Sequence, residues 1–185
     1  PGETKRLSKV ISVTVKQSPL RILAIGNSFS QDAVEQYLYE LLKAEGIEAI
    51  IGNMYIGGCS LETHWANANG NQAKYSYRKI ENGSKTTKAN TTLETALKDD
   101  KWDYISLQQV SGKSGQYDTY KPYLSNLVNY VKGSATNKYM KLMLHQTWAY
   151  ASYSNHTDFK NYDNDQMTMY SAIVNAVNEA ASDQN

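Results

Sequence analysis

The change of pattern across residues 21–46 restricts this chain more than any other feature. Ile22-Leu23-Ala24-Ile25 is a short continuous apolar run, the mark of a strand covered on both faces in a parallel sheet, and it stops at Gly26. Beyond the glycine the period becomes helical. Val34, Leu38, Leu41 and Leu42 fall on one stripe, Ser30 is placed to cap, Asp32 suits the positive end of the helix, and Gly46 closes it. A strand, a glycine turn and a helix deliver the Ser28 hydroxyl at the carboxyl end of a central strand, where open α/β sheets hold their ligands. A serine at such a junction is more often a helix cap than a nucleophile, so its role depends on the other strand ends of the chain.

The same unit recurs. Residues 47–56 read as a second strand, interrupted by Gly52, that runs into Gly57-Gly58-Cys59-Ser60 and a helical stretch over 60–66. Two glycine loops at adjacent strand ends offer backbone N–H groups as an anion-binding corner. Residues 70–91 read as an insertion: Tyr75, Tyr77 and Lys79 alternate up to Asn82-Gly83, a strong hairpin signal, and Thr86, Thr87 and Lys88 return. Thr91 and Glu94 form a capping box for a short helix through Leu97. Residues 102–107 are a third strand, ending in Gln108-Gln109-Val110-Ser111-Gly112. Asp118 is placed to cap the next helix, with Pro122 in its first turn, Leu124, Leu127, Val128 and Val131 facing the core, and Gly133 at its end. Residues 140–144 are a fourth strand that empties into His145-Gln146-Thr147-Trp148-Ala149-Tyr150, and a last helix from Asp165 carries Met169, Ile173, Val174 and Val177. Residues 1–20 read as an extended N-terminal arm ending near Pro19, and 21–185 as one domain. The alternation predicts an α/β chain with a flavodoxin-like, doubly wound parallel sheet in three α/β/α layers, carrying a small β-hairpin insertion. Right-handed crossovers then gather the four strand-end clusters on one rim.

Composition removes several function classes. A net charge of +1, with Lys and Arg scattered, lacks the footprint of a nucleic-acid binder. No apolar run is long enough to span a bilayer. Cys59 is the only cysteine, which excludes an intrachain disulfide and a thiolate cluster. His64, His145 and His156 show no ligand spacing, so no metal and no cofactor is expected. Fifteen Tyr against two Phe is a polar-aromatic bias often met in exported proteins that handle sugars. It sets an expectation of an extracytoplasmic location, periplasmic, secreted or surface-anchored, with Pro1-Gly2 as the remnant of a leader or tag.

Gly26-Asn27-Ser28-Phe29-Ser30 resembles block I of the SGNH (GDSL-like) hydrolases, with Asn in place of the usual Asp. Gly58 resembles the block II glycine, and Gln108-Gln109 stands where block III normally reads Gly-x-Asn-Asp. The set Gly-Asn-Ser-Phe-Ser, Gly-Gly-Cys-Ser-Leu-Glu-x-His, Leu-Gln-Gln and Gln-Thr-Trp-Ala-Tyr is similar to a bacterial family of unknown function within that superfamily. Each block alone is unspecific, but four in order on successive strand ends are not. The resemblance implies a serine esterase or deacetylase, with Ser28 as nucleophile. Its oxyanion would be held by the N–H groups of Ser28 and Gly58 and by a glutamine amide, Gln108 before Gln109. Donors of this kind are worth about 3 to 4 kcal/mol each. Asn27, His64, Gln109, Gln146 and Trp148 are then expected at the substrate.

The Asp-x-x-His of block V has no match, so the resemblance implies an N-terminal portion without the final strand and its catalytic loop. His64 is weighed as a substitute base against a role in holding the block II loop. His145 reads as a hydrogen-bonded core or rim histidine. His156 and Asp158 have the reversed order for a dyad, and Cys59 reads as a small buried residue. Trp65, Trp148, Tyr150 and Tyr153 are weighed as a sugar-stacking wall against plain packing. The expected substrate is a short acyl ester on a carbohydrate; the alternative is an inactive carbohydrate-binding or scaffold protein on the same fold. A phosphate or nucleotide binder is disfavoured, since no Walker or G-x-G-x-x-G pattern occurs. The strand over 140–144 would present an unpaired apolar edge, expected to be covered by a further segment or by edge-to-edge pairing with a second copy.

Overall fold

The computed structural model describes residues 18–184, so the arm expected over residues 1–20 lies almost wholly outside the described residues. The elements follow as β1 (Leu20–Gly26), α1 (Ser28–Ser30), a π-helix (Gln31–Leu38), α2 (Tyr39–Ala44), β2 (Ala49–Tyr55), α3 (Leu61–Asn69), β3 (Tyr75–Glu81), β4 (Ser84–Thr91), α4 (Leu93–Asp99), β5 (Tyr104–Gln108), α5 (Tyr123–Ser134), β6 (Lys141–His145) and α6 (Gln166–Ser182). Short 3₁₀ turns cover Ser111–Lys113, Tyr117–Tyr120 and Thr157–Tyr162.

The strands form one sheet in the order β4-β3-β2-β1-β5-β6. β1 lies parallel to β2 and to β5, and β5 parallel to β6. This β2-β1-β5-β6 order is the doubly wound arrangement, with its switch point between β1 and β5, where the crevice for a ligand opens. The hairpin is more than an insertion on the surface. β3 pairs antiparallel with β2 from Ile51↔Ile80 to Tyr55↔Ser76, and β4 pairs with β3, so the hairpin lengthens the central sheet and makes it mixed.

Side-chain alternation divides the core. Leu23 and Ile25 of β1 face one side with Ile50, Met54, Ile105 and Leu107, where α3, α4, α5 and α6 contribute Leu61, Leu97, Leu127 and Ile173. Ala24, Ala49, Ile51 and Ile80 face the other side, against Val34, Leu38, Tyr39 and Leu42 of the helical segment after β1. Among the described residues, one face thus carries α3, α4, α5 and α6, and the other the continuous segment of α1, the π-helix and α2.

Three boundaries differ from the sequence reading. Asn27, not Ser30, caps the first helix, because its side chain accepts from the Phe29 N–H two residues on. Thr92, not Thr91, caps α4 by accepting from the Thr95 N–H, while Thr91 is the buried end of β4. Asp118 lies in a 3₁₀ turn, and α5 starts only after Pro122. Asp165 caps α6 as expected, at 2.7 Å from the Thr168 N–H.

Candidate active site

The ends of β1, β2 and β5 are tied by one side chain. Asn27 is 1% exposed. Its Oδ1 accepts from the Phe29 N–H at 3.1 Å and from Gln108 Nε2 at 3.0 Å, and its Nδ2 donates to the Cys59 carbonyl at 3.0 Å. Expected at the substrate, Asn27 is instead the buried joint between the three loops. The packing leaves no room for a side chain at Gly26, where a Cβ would meet Gln108 Oε1 at 2.4 Å and Ser30 Oγ at 2.7 Å.

Held on this joint, Ser28 is exposed at the first position of the helical turn. Its N–H is one of the donors that a helix start leaves without an intrahelical partner. Its hydroxyl makes no hydrogen bond among the described residues. The loop after β2 is fixed by the Ile56 N–H donating to the Gly26 carbonyl at 3.2 Å and closed by the Cys59 N–H donating to Ile56 at 3.3 Å. Gly58 at its tip has φ +63°, a left-handed conformation that costs glycine little, and is exposed with open space around its Cα. The loops after β1 and β2 thus each carry an N–H group, of Ser28 and of Gly58, with no backbone partner among the described residues, and the first also carries the free Ser28 hydroxyl.

The two glutamines separate in role. Gln108 is 1% exposed, gives one N–H to Asn27, and has no partner among the described residues for its buried Oε1. Gln109, expected as second oxyanion donor and substrate contact, is fully engaged. Its Oε1 accepts from the N–H groups of Leu61 and Val110, at 3.0 and 2.9 Å, and its Nε2 donates to the Thr119 carbonyl and hydroxyl. Gln109 is a buried strut between the start of α3 and the loop after β5.

The three histidines differ in burial and in partners. His64 is fully buried, its Nδ1 lies 2.9 Å from the Tyr75 hydroxyl, and its Nε2 has no partner among the described residues. Burial pushes its pKa down to about 3, so the ring is neutral and out of reach of substrate. His145 ends β6 half-buried, with its pKa lowered by the same cause. His156 is exposed, but its Nδ1 accepts from the Asp158 N–H at 3.2 Å, making it a cap rather than half of a dyad. Its ring lies 4.6 Å from that of Tyr150, whose hydroxyl is 2.8 Å from Ser111 Oγ. Burial pushes the Cys59 thiol up to about 12, which suits an inert core residue. Gln146 and Trp148 are exposed, and the Trp148 ring lies 4.3 Å from the Phe29 ring next to Ser28.

A polar network behind the site has no counterpart in the sequence reading. Ser30 Oγ, in the helical turn of Ser28, bonds to the Asn27 carbonyl and to Asn53 Oδ1 at 2.8 and 3.0 Å. Asn53 Nδ2 donates to Glu35 at 2.6 Å, and the carboxylate, 2% exposed, also takes Arg78 at 3.1 Å and Lys85. Arg78 in turn stacks 3.7 Å over the Tyr55 ring. The signal for it was a polar Asn53 inside the otherwise apolar β2. Among the described residues no group of three His, Cys, Asp or Glu side chains could hold a metal ion, and no helix is long and apolar enough to cross a membrane.

Residues 21–183 match the family model described as Domain of unknown function (DUF4886). A solved DUF4886 family protein from Bacteroides uniformis ATCC 8492 is 58% identical, with a TM-score of 0.88 over 90% of this chain and 64% of that one. The chain therefore spans less than two thirds of that relative's length. A candidate SGNH hydrolase from Slackia heliotrinireducens aligns with a TM-score of 0.58 at 19% identity, over 90% of this chain and 76% of that one. No curated protein matches. The fold is thus like that of the SGNH hydrolases.

Proposed function

The chain belongs to the DUF4886 family, and on that footing we propose that it is the Ser28-bearing part of an ester hydrolase that removes short acyl groups from carbohydrates. The observation that carries this reading is the exposed Ser28 hydroxyl on the loop after β1, with the N–H groups of Ser28 and of the exposed Gly58 unpartnered among the described residues. Ser28 Oγ attacks the acyl carbon, and the carbonyl oxygen, now an oxyanion, is held by those two N–H groups and the second N–H of Gln108. The alcohol leaves with a proton, and water then releases the acyl group from Ser28. Donors fixed in advance by the Asn27 joint need no reorganisation as charge develops.

A serine hydroxyl needs a base near neutral pH, and His64, His145 and His156 are engaged or buried as placed. Without a base, about 10³-fold acceleration from the oxyanion hole and binding is what remains. The carbohydrate half of the reading, and an extracytoplasmic location with it, are supported by the tyrosine-rich composition and by Trp148 beside Phe29. A second reading, a binding protein on an esterase fold, is favoured by the burial of His64.

The test measures p-nitrophenyl acetate turnover by this 185-residue chain and by a version extended to the length of its solved relative. The extended protein is expected to be active, the short chain feeble, and Ser28→Ala to abolish turnover in both. Turnover indifferent to Ser28→Ala sinks the proposal. Failure of a fluorophosphonate probe to label Ser28 in the extended protein would favour the binding reading.

A further inference from the structure

Two surface clefts near Ser28 meet at one side chain. A cleft of about 680 Å³ is lined by Asp32, Ala33, Gln36, Tyr37 and Trp148. A second, of about 590 Å³, runs from Trp148 past Tyr150 and Tyr153 to Asn155 and Gln166. Trp148 stands between them, 49% exposed, while Tyr37 and Tyr153 are 68% and 91% exposed. None of these three uses its polar ring atom in a hydrogen bond among the described residues.

The first cleft lies along the helical segment that carries the candidate nucleophile. Asp32 and Gln36, which line it, stand four and eight residues after Ser28 in the helical segment that starts at Asn27. Trp148 is held against that segment by Phe29, with the rings 4.3 Å apart and inclined at 35°. The aromatic wall therefore has a fixed position relative to Ser28.

The lining selects a ligand class. Flat exposed rings suit the C–H faces of pyranoses, and the amides of Gln36, Asn155 and Gln166 suit their hydroxyls. Among the described residues Asp32 is the single charged group on either cleft, and no Lys or Arg lines them. A nucleic acid or a polyuronate would need cations here. Clefts on both sides of Trp148 accommodate sugar rings on both sides of the residue carrying the ester.

We infer that Tyr37, Trp148 and Tyr153 form a platform for a neutral polysaccharide, which crosses Trp148 with sugar units in both clefts; this rests on the ester hydrolase reading. The substrate is then an acylated polymer rather than a small soluble ester.

Binding and turnover are measured separately. Affinity electrophoresis of the whole chain as Ser28→Ala, in gels containing partially acetylated xylan, deacetylated xylan or polygalacturonate, is expected to give retardation by both xylans and none by polygalacturonate. Tyr37→Ala and Trp148→Ala, each added to Ser28→Ala, are expected to weaken that retardation by about tenfold in Kd. In the extended protein with Ser28 intact, Tyr37→Ala is expected to raise KM for acetylated xylan by a similar factor while the melting temperature holds. No retardation by either xylan, equal retardation by polygalacturonate, or retardation indifferent to both aromatic substitutions overturns the platform. Retardation without turnover in the extended protein would leave the platform standing and remove the hydrolase.

Discussion

Asn27 spends both ends of one amide on three different strand-end loops, so the position of Ser28 is set by residues up to 81 apart in sequence. The local part of this arrangement was legible: a glycine after an apolar strand forces a turn, and the turn exposes the residues just beyond it. The long-range part was not, because nothing in Gln108-Gln109 says which amide continues the β5 alternation and which turns inward to brace α3. The burial of His64 went against the expectation, drawn from its spacing after Gly58, that it would face the substrate. It stands three residues after Leu61 and four before Ala68, on the buried stripe of α3, where a histidine enters the core as a neutral ring. That position has a consequence for pH. In the unfolded chain the ring takes a proton near its ordinary 6.5, whereas in the fold it refuses one until about 3. Between those values the unfolded state binds more protons, so the His64 contribution is complete above 6.5 and lost on acidification, by up to about 1.4 kcal/mol per pH unit. Urea unfolding at pH 7 and pH 4 is expected to show this loss, and His64→Asn, less stable at pH 7, is expected to show a smaller drop between the two.

At the scale of elements, the helical stripe of Val34, Leu38, Leu41 and Leu42 assumes the α period, and it holds only in part. Val34 is buried, Leu38 and Leu42 are half-buried, and Leu41 is 63% exposed. The π turns over Gln31–Leu38 hydrogen-bond one residue further than α turns and shift the phase of everything after them, so Leu41 rotates outward. Within those turns Glu35 joins β2 through Asn53 and the hairpin through Arg78 and Lys85. The hairpin thus braces the segment that carries Ser28. Glu35→Ala would leave Arg78, 17% exposed, facing Lys85 with no anion between them. Breaking a buried pair from one side costs about 3 to 5 kcal/mol, and the half-open Lys85 places the expected loss near the lower figure. Urea denaturation checks the size, and the double variant with Arg78→Ala should lose less than the sum of the two singles.

Over the whole molecule, the two edges of the sheet are treated differently. The β4 edge is exposed from Ser84 to Asn90 and carries Lys85 and Lys88 among threonines, a composition that discourages pairing. Among the described residues the β6 edge has a hydrogen-bonded neighbour only on the β5 side, with Met143 41% exposed. Beside it runs a groove of about 540 Å³ whose walls include Leu124, Val128, Leu142 and Leu144. The hairpin signal at Asn82-Gly83 was plain in sequence, but the edge it joins was not, since β2 lies well upstream with α3 between them. Met143→Lys gives β6 the same protection that β4 has. It is expected to slow the rise of light scattering in concentrated solution with the melting temperature unchanged.

The half-open setting of Trp148 has an optical consequence. Trp102 is 1% exposed in the core, whereas Trp148 sits beside Ser28 in contact with solvent. The molecule therefore emits from a blue, sheltered indole, from the half-buried Trp65 and from a red, quenchable one. Any occupant of the clefts that shields Trp148 would register in the red component alone, so filling of the site can be followed by colour, without a label and whether or not a bond is cleaved.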